Sequence, residues 1–551
     1  MTRTSIRAFL LRIHFYGGMF VGPFILVAAL TGCLYALAPT LENIVYRDST
    51  TVAEVTNPVP LEQQVAAAEK AHPGLDVLQV WPANTPTDST RVLLADPTID
   101  ETEDLAVFIN PADASVIDAQ PSYSGLGELP LRHWISALHQ DFHLGKPGEL
   151  YSELAASWLW VLVLGGLYLW FIRAKAARIR RGQGRFSTLK AMLLGGARGV
   201  GKENNPAESS ELPETGGNAV AVSGTKARAA ARKTAMKVHA VTGTWLLVAL
   251  LVLSATGITW SGLAGENVNK LVESMHWKAT PIETSLHAGE GDAAAAGGGH
   301  EGHEGHGNHG NHGGHGNHGG HGNHEGHDGS DTAADGAASD SAADNPTAGN
   351  PVANTSGTTT DVPATQADTV YRAARDAGLT GPLRLYPPED EHSGWKASER
   401  WVEWRTTSDQ VSVDGSDGRI IDRQDSADLP TFSKLSSWGI YLHMGIMFGL
   451  PLQLLLFVVG LGLALMVVMG YRMWWKRRTS FVPGSPKNFS WQTTALGVLV
   501  VATVGVFLPL FGITLAAFLL VDVLVMGRRA RKLRNRNVKI RPIPQPEHQT
   551  T

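Results

Sequence analysis

The sequence predicts an α-helical polytopic membrane protein of about six transmembrane helices with a duplicated two-helix unit, and two small external α+β modules. Three observations predict it. Apolar runs long enough to cross a bilayer alternate with polar segments. Lys and Arg crowd some of those polar segments and are scarce in others. Histidines at helix ends recur with matched spacings along the chain. The mean hydropathy of −0.06 averages these unlike parts, so a single compact soluble domain is excluded.

The first helix takes residues 1–40. Its apolar run, Ile13 to Ala38, spans about 39 Å if helical, enough to cross with tilt. It follows Arg3, Arg7 and Arg12 but continues without a convincing cleavage site, so it reads as a retained anchor rather than a signal peptide. Residues 41–132 hold the first external module, and 133–173 the second helix, apolar over Leu154–Ile172. A basic loop (174–237) precedes the third helix (238–261). An external loop with a His-rich insert (262–360) leads to the second module (361–430). The fourth helix (431–475), apolar from about Gly449 to Tyr471, is followed by a loop (476–493), a last apolar stretch (494–527) and a basic tail (528–551).

Positive charge sets the orientation. The loop from Arg173 to Lys237 carries fourteen Lys/Arg and is expected inside, whereas Pro39 to Glu153 has five against eighteen Asp/Glu and is expected outside. Lys476-Arg477-Arg478 and the tail from Arg528 to Arg536 are both basic, so an even number of crossings should separate them. With Pro509 and Gly512 mid-run, Thr494–Met526 is therefore expected to be a hairpin of two short helices rather than one kinked span. This places both termini in the cytoplasm and the protein in the inner, or cytoplasmic, membrane. The basic runs suit inner-leaflet lipid contact, not nucleic acid.

Each module reads as a helix followed by strands. In the first, the helix is Leu61–Ala71 and the strands are Val77–Val80, Thr90–Leu94, Leu105–Ile109 and Ser115–Ile117, the last after the turn Asn110-Pro111-Ala112-Asp113. In the second, the helix is Thr369–Ala377 and the strands are Pro382–Tyr386, Arg400–Thr406, Gln410–Val413 and Arg419–Asp422.

Between the modules, Ala288–Thr360 has too few apolar residues to offset chain entropy and is expected to be disordered. Within it, His300, His303, His306, His309, His312, His315, His318, His321, His324 and His327 recur at every third position. Neutral imidazole ligates copper, zinc and nickel, so this tract is a candidate site for a divalent metal rather than a plain spacer. Cys33, the single cysteine, excludes an internal disulfide, a thiolate iron–sulfur site and Cys-x-x-Cys-His haem attachment.

The membrane histidines carry the most chemistry. His14 precedes Thr31-Gly32 by seventeen residues, and His239 precedes Thr256-Gly257 by the same number. His139 is followed by Gly145, Pro147 and Trp170 at six, eight and thirty-one residues; His443 is followed by Gly449, Pro451 and Trp474 at the same intervals. The chain thus reads as a repeated unit: a helix with an inner histidine, a module, a helix with an outer histidine. Two imidazoles from different helices can take the axial positions of one haem iron. His14 with His239 forms the inner candidate pair, and His139 with His443 the outer one. Gly17, Gly18, Gly165, Gly166, Gly243 and Gly460 on the same helices permit close approach. His143, one turn from His139, is a second-rank ligand because its repeat counterpart is Met447; His133 and His276 have no counterpart. Thirty-one helical residues from His443 to Trp474 would measure about 46 Å. Either His443 stands above the bilayer or Pro451 bends the helix.

On Arg12-Ile13-His14 with Thr31-Gly32, Leu138-His139 with Gly145 and Trp170, Lys237-Val238-His239 with Thr256-Gly257, and Leu442-His443 with Gly449, the chain resembles the PepSY-associated transmembrane proteins. That family includes iron-regulated membrane proteins and ferric-siderophore reductases. Phe108-Ile109-Asn110-Pro111 and Val413-Asp414-Gly415 with Gly418 give the modules their PepSY resemblance, although Asn110 stands where Asp is usual and the His-rich insert is outside the family pattern. The resemblance implies two b-type haems and electron transfer to an external ferric complex. The glycine-rich stretch from Gly195 to Lys202 matches neither a dinucleotide nor a P-loop pattern, so a cytoplasmic partner or a quinol is the expected donor. The competing expectation is a non-enzymatic protein that binds or senses metal through its His-rich external loop. Regulation of an external protease by the modules ranks below both.

Overall fold

Alternating apolar residues in short runs and helix-spaced alanines in the two modules leave one face of each to be buried, and the fold buries them together. In a computed structural model, the structure describes residues 3–100, 102–123, 126–182, 184, 186–194, 218–286, 364–476, 499 and 502–538. Two compact units result: one comprises Met1–Cys33, Leu150–Ser274 and Phe457–Thr551, the other Leu34–Glu149 and Met275–Leu456.

The second unit holds an antiparallel sheet of β1 (Val77–Trp81), β2 (Thr90–Leu94), β3 (Glu103–Ile109), β4 (Val116–Tyr123), β5 (Leu383–Tyr386), β6 (Trp395–Glu399), β7 (Gln410–Val413) and β8 (Ile420–Gln424). The strand order is β4-β3-β2-β1-β5-β6-β7-β8, and Val80 pairs with Leu385 where the modules meet. The two modules therefore share one sheet. Helices Leu61–Ala71 and Ala367–Asp376 cover one face, enclosing Val65, Ala68, Val80, Val92, Val107, Val370, Leu385, Ala397 and Val411 in one apolar core. The Asp368 carboxylate accepts hydrogen bonds from the backbone N–H groups of Leu61 (3.0 Å) and Glu62 (3.1 Å), so one module caps the other's helix.

One expected strand is displaced. Arg400–Thr406 is not a strand; the third segment of the second module is β6. Trp395 and Ala397 alternate into the core, while the β-favouring Trp401 and Trp404 lie in a loop where Trp404 has φ 64°.

Asn110 serves its turn as Asp414 serves the corresponding one. Its Oδ1 accepts from Ala112 N–H at 3.0 Å, as Asp414 Oδ1 accepts from Ser416 N–H at 3.0 Å.

The first unit is a helix bundle. Arg7–Val45, Lys146–Arg180 and Gly449–Trp475 are long and apolar enough to cross a membrane. Arg228–Trp245 and Leu247–Thr259 pass the same test together but are bent by 67°. The first span continues through Pro39 to Val45, past the expected end at residue 40, and contains a π-helical turn at Gly17–Val21 just beyond His14. Trp158 is fully buried, with its ring 4.9 Å from Phe511 and 5.3 Å from Phe518 and its indole N–H donating to Thr514 Oγ1 at 2.8 Å. Arg12 pairs with Asp522, which also accepts from the Tyr16 hydroxyl at 2.7 Å.

The last apolar stretch is described only from Leu499 and from residue 502. Residues 502–507 are helical, the chain breaks at Leu508, and a helix runs Pro509–Val538. A Cβ on Gly505 would lie 3.0 Å from Gly512 Cα, so the backbones meet closely across this break.

Candidate functional site: two histidine pairs

The long helix expected from His443 to Trp474 is two helices. Thr431–His443 ends at the histidine, Gly445 (φ 75°) and Gly449 (φ 55°) turn the chain, and Gly449–Trp475 begins. Pro451 sits in the first turn, where its missing N–H costs nothing. It neither bends a continuous helix nor lowers the histidine. The counterpart is built alike: Pro130–Gln140 carries His139, Gly145 (φ 61°) turns, and Lys146–Arg180 follows with Pro147 in its first turn.

Within the second unit these elements bring His139 and His443 together, with ring centres 6.4 Å apart at 51°. Burial pushes the His139 imidazole down to about 4; burial and His139 together push His443 down to about 3. Both are therefore neutral near pH 7, the form that ligates metal. Tyr35 stacks on His139 at 5.8 Å and its hydroxyl donates to Glu128 at 3.3 Å. Arg132 bridges Glu128 (3.1 Å) and Glu42 (3.7 Å).

Within the first unit His14 and His239 stand 6.1 Å apart with perpendicular rings. His239 Nδ1 lies 2.7 Å from the Met466 carbonyl. A carbonyl only accepts, so Nδ1 carries the proton and Nε2 presents its lone pair. His14 Nδ1 is buried with no hydrogen-bond partner. Gly166 faces this ring: a Cβ there would come within 3.0 Å of His14 Cε1. Gly470 faces His239 at 4.0 Å. Of the other glycines, Gly17 packs on Trp158 and Leu162, Gly243 on Met466, and Gly460 on Cys33 and Ala29; Gly18 and Gly165 meet nothing within 4 Å.

The spacing matters chemically. A ligating imidazole nitrogen lies about 2 Å from its metal and about 1.1 Å from its own ring centre, so two rings trans across one iron have centres about 6.3 Å apart. Both pairs match that separation. Among the described residues no group of three or more His, Cys, Asp or Glu could hold a metal ion. Two imidazoles alone are too few for a tetrahedral zinc site, but they would suffice to hold a metal group that brings its other donors with it.

His143 does not join its neighbour. It is exposed, adopts φ 56° and rests against Trp134 at 5.0 Å. His133 stacks on Tyr123 at 4.7 Å, and His276 lies at φ 53°. The ten histidines from His300 to His327 lie outside the described residues. Tyr35 and the Glu42–Arg132–Glu128 bridge carried no sequence signal, because an aromatic in an apolar run and scattered charges are common.

A family profile described as the PepSY-associated TM region matches residues 11–477. No curated protein matches the chain.

Proposed function

The chain belongs to the PepSY-associated TM region family, and from that premise we propose that it is a transmembrane electron carrier with two b-type haems that reduces external ferric complexes. The observation that carries the reading is the separation within the two pairs, 6.1 Å and 6.4 Å, each suited to one bis-imidazole iron. His14 and His239 hold the inner group and His139 and His443 the outer one. A haem held by either pair would supply one-electron Fe(III)/Fe(II) chemistry there.

The chain's own residues do the rest. The Met466 carbonyl fixes the His239 tautomer, and Gly166 leaves room beside His14. Tyr35 braces the face of His139. Electrons enter from a cytoplasmic partner or quinol and leave on the side of the sheet, which charge asymmetry puts outside the cytoplasmic membrane. The close approach of Gly505 to Gly512 across the break at Leu508 supports a hairpin for the last apolar stretch, and with it six crossings in all. The His-rich tract gathers copper, zinc or nickel there. A second reading, metal binding or sensing without electron transfer, draws on that tract's strict period of three.

The test is an absorption spectrum of the full chain, purified in detergent from haem-sufficient cells. A Soret band and a sharp α band on reduction, at two haems per chain, are expected. Absence of Soret absorption overturns the reading.

A further inference from the structure

The sheet face opposite the covering helices carries a row of cations and aromatics that the two pairs do not use. The register aligns it strand by strand. Phe108 on β3 pairs with Arg91 on β2, Arg91 with Trp81 on β1, and Arg384 on β5 with Ser398 on β6. Because Val80 pairs with Leu385, Trp81 and Arg384 are the next neighbours across the junction of the modules. The guanidinium carbons of Arg384, Arg400 and Arg91 lie 4.4, 4.5 and 4.8 Å from ring centres of Trp81. Arg91 is also 4.8 Å from Phe108, and Lys396 Nζ is 4.3 Å from Tyr386.

Three guanidiniums on one indole repel one another and need a counter-charge. Among the described residues no carboxylate makes an ion pair with Arg91 or Arg400. Arg91 donates to the Gly127 carbonyl at 2.8 Å, and Arg400 Nε is buried without a hydrogen-bond partner. The nearest acids act at longer range: Glu42 on Arg91, itself committed to Arg132 and to the Leu129 N–H, and Asp88 on Arg400. Burial, and then the neighbouring arginines, push Arg400 down to about 9; burial also pushes Arg91 down to about 10. The row is tied to the outer pair. Trp401 stacks on Tyr441 at 4.5 Å, and Trp404 N–H donates to the Met447 carbonyl at 2.8 Å, on either side of His443.

We propose that Arg91, Arg384 and Arg400 around Trp81 form a binding site for the carboxylates of an anionic ligand. Planar guanidiniums take carboxylates bidentately, and the indole holds their faces in place. Two sources share this chemistry: a soluble polycarboxylate metal chelate, or the propionates of the group held by His139 and His443. The purpose of the site rests on the electron-transfer reading; its occupancy does not.

Citrate is the probe, titrated calorimetrically into the purified full chain and into a His139→Ala/His443→Ala variant. Binding to the full chain assigns the site to a soluble chelate, and binding to the variant alone assigns it to propionates. In whichever protein binds, Arg91→Gln or Arg400→Gln should weaken affinity about tenfold or more, Arg400→Lys should weaken it less, and added salt should weaken it throughout. Citrate binding to neither protein, or binding that the glutamine variants and salt leave unchanged, overturns the proposal. Citrate binding by a chain that never takes up haem would leave this site standing while the electron-transfer reading fails.

Discussion

His14 and His239 stand on apolar helices with a backbone carbonyl and two glycines for company. His139 and His443 stand at the ends of shorter helices, beside a tyrosine and an Arg–Glu bridge. The donor chemistry is the same and the supports differ. In the first pair the position of each ring follows from how closely helices approach. In the second it follows from turns made by glycines with positive φ and from polar side chains fixed to the sheet unit. Changes to helix packing should therefore disturb one pair, and changes to turns or to the polar bridge the other.

The largest expected effect separates the pairs outright. His139→Ala should lower haem content from about two per chain to about one, read as pyridine haemochrome per protein, and His239→Ala should remove the other. Loss of both haems from either variant would break the assignment to two independent sites.

Asp522→Asn comes next. It leaves Arg12 buried without its anion two residues before His14, and should cost about 3–5 kcal/mol, read as a lower thermal midpoint in detergent. The outer haem should stay.

Gly166→Val puts side-chain carbons where His14 already stands. Haem affinity at the inner pair should fall about tenfold while the outer pair is spared. Equal loss from both pairs would contradict the placement of Gly166.

The smallest effect tests the sheet. Asp368→Ala removes the cap on helix Leu61–Ala71 and should cost about 1 kcal/mol, seen as a small drop in thermal midpoint with haem content unchanged.

The candidate pairs were legible in the sequence because duplicated spacing survives whatever lies between. His14 with His239 and His139 with His443 follow from intervals alone, and the structure brings each pair together. Most strands were legible too, since alternation such as Val92 and Leu94 inward with Arg91 outward is a local property. The pairing of Val80 with Leu385 was not, because a contact between residues so far apart leaves no local trace. Of the two alternatives for the long interval after His443, the bend at Pro451 is not the one found, because the chain is turned by Gly445 and Gly449. The arginine row emerges only after the modules join, when Arg91 on β2, Arg384 on β5 and Arg400 just past β6 meet the Trp81 indole on β1.

The shared sheet has a consequence for the histidine tract. On one side of it Ser285 bridges to Ser393 and Leu286 N–H donates to the His392 carbonyl; on the other Ala367 packs into the core of the same unit. The tract thus leaves and re-enters one folded body. An ion taken up by its imidazoles, as proposed above, would then stay tethered to that body from both sides, so that capture and delivery to the sheet would become steps within one molecule.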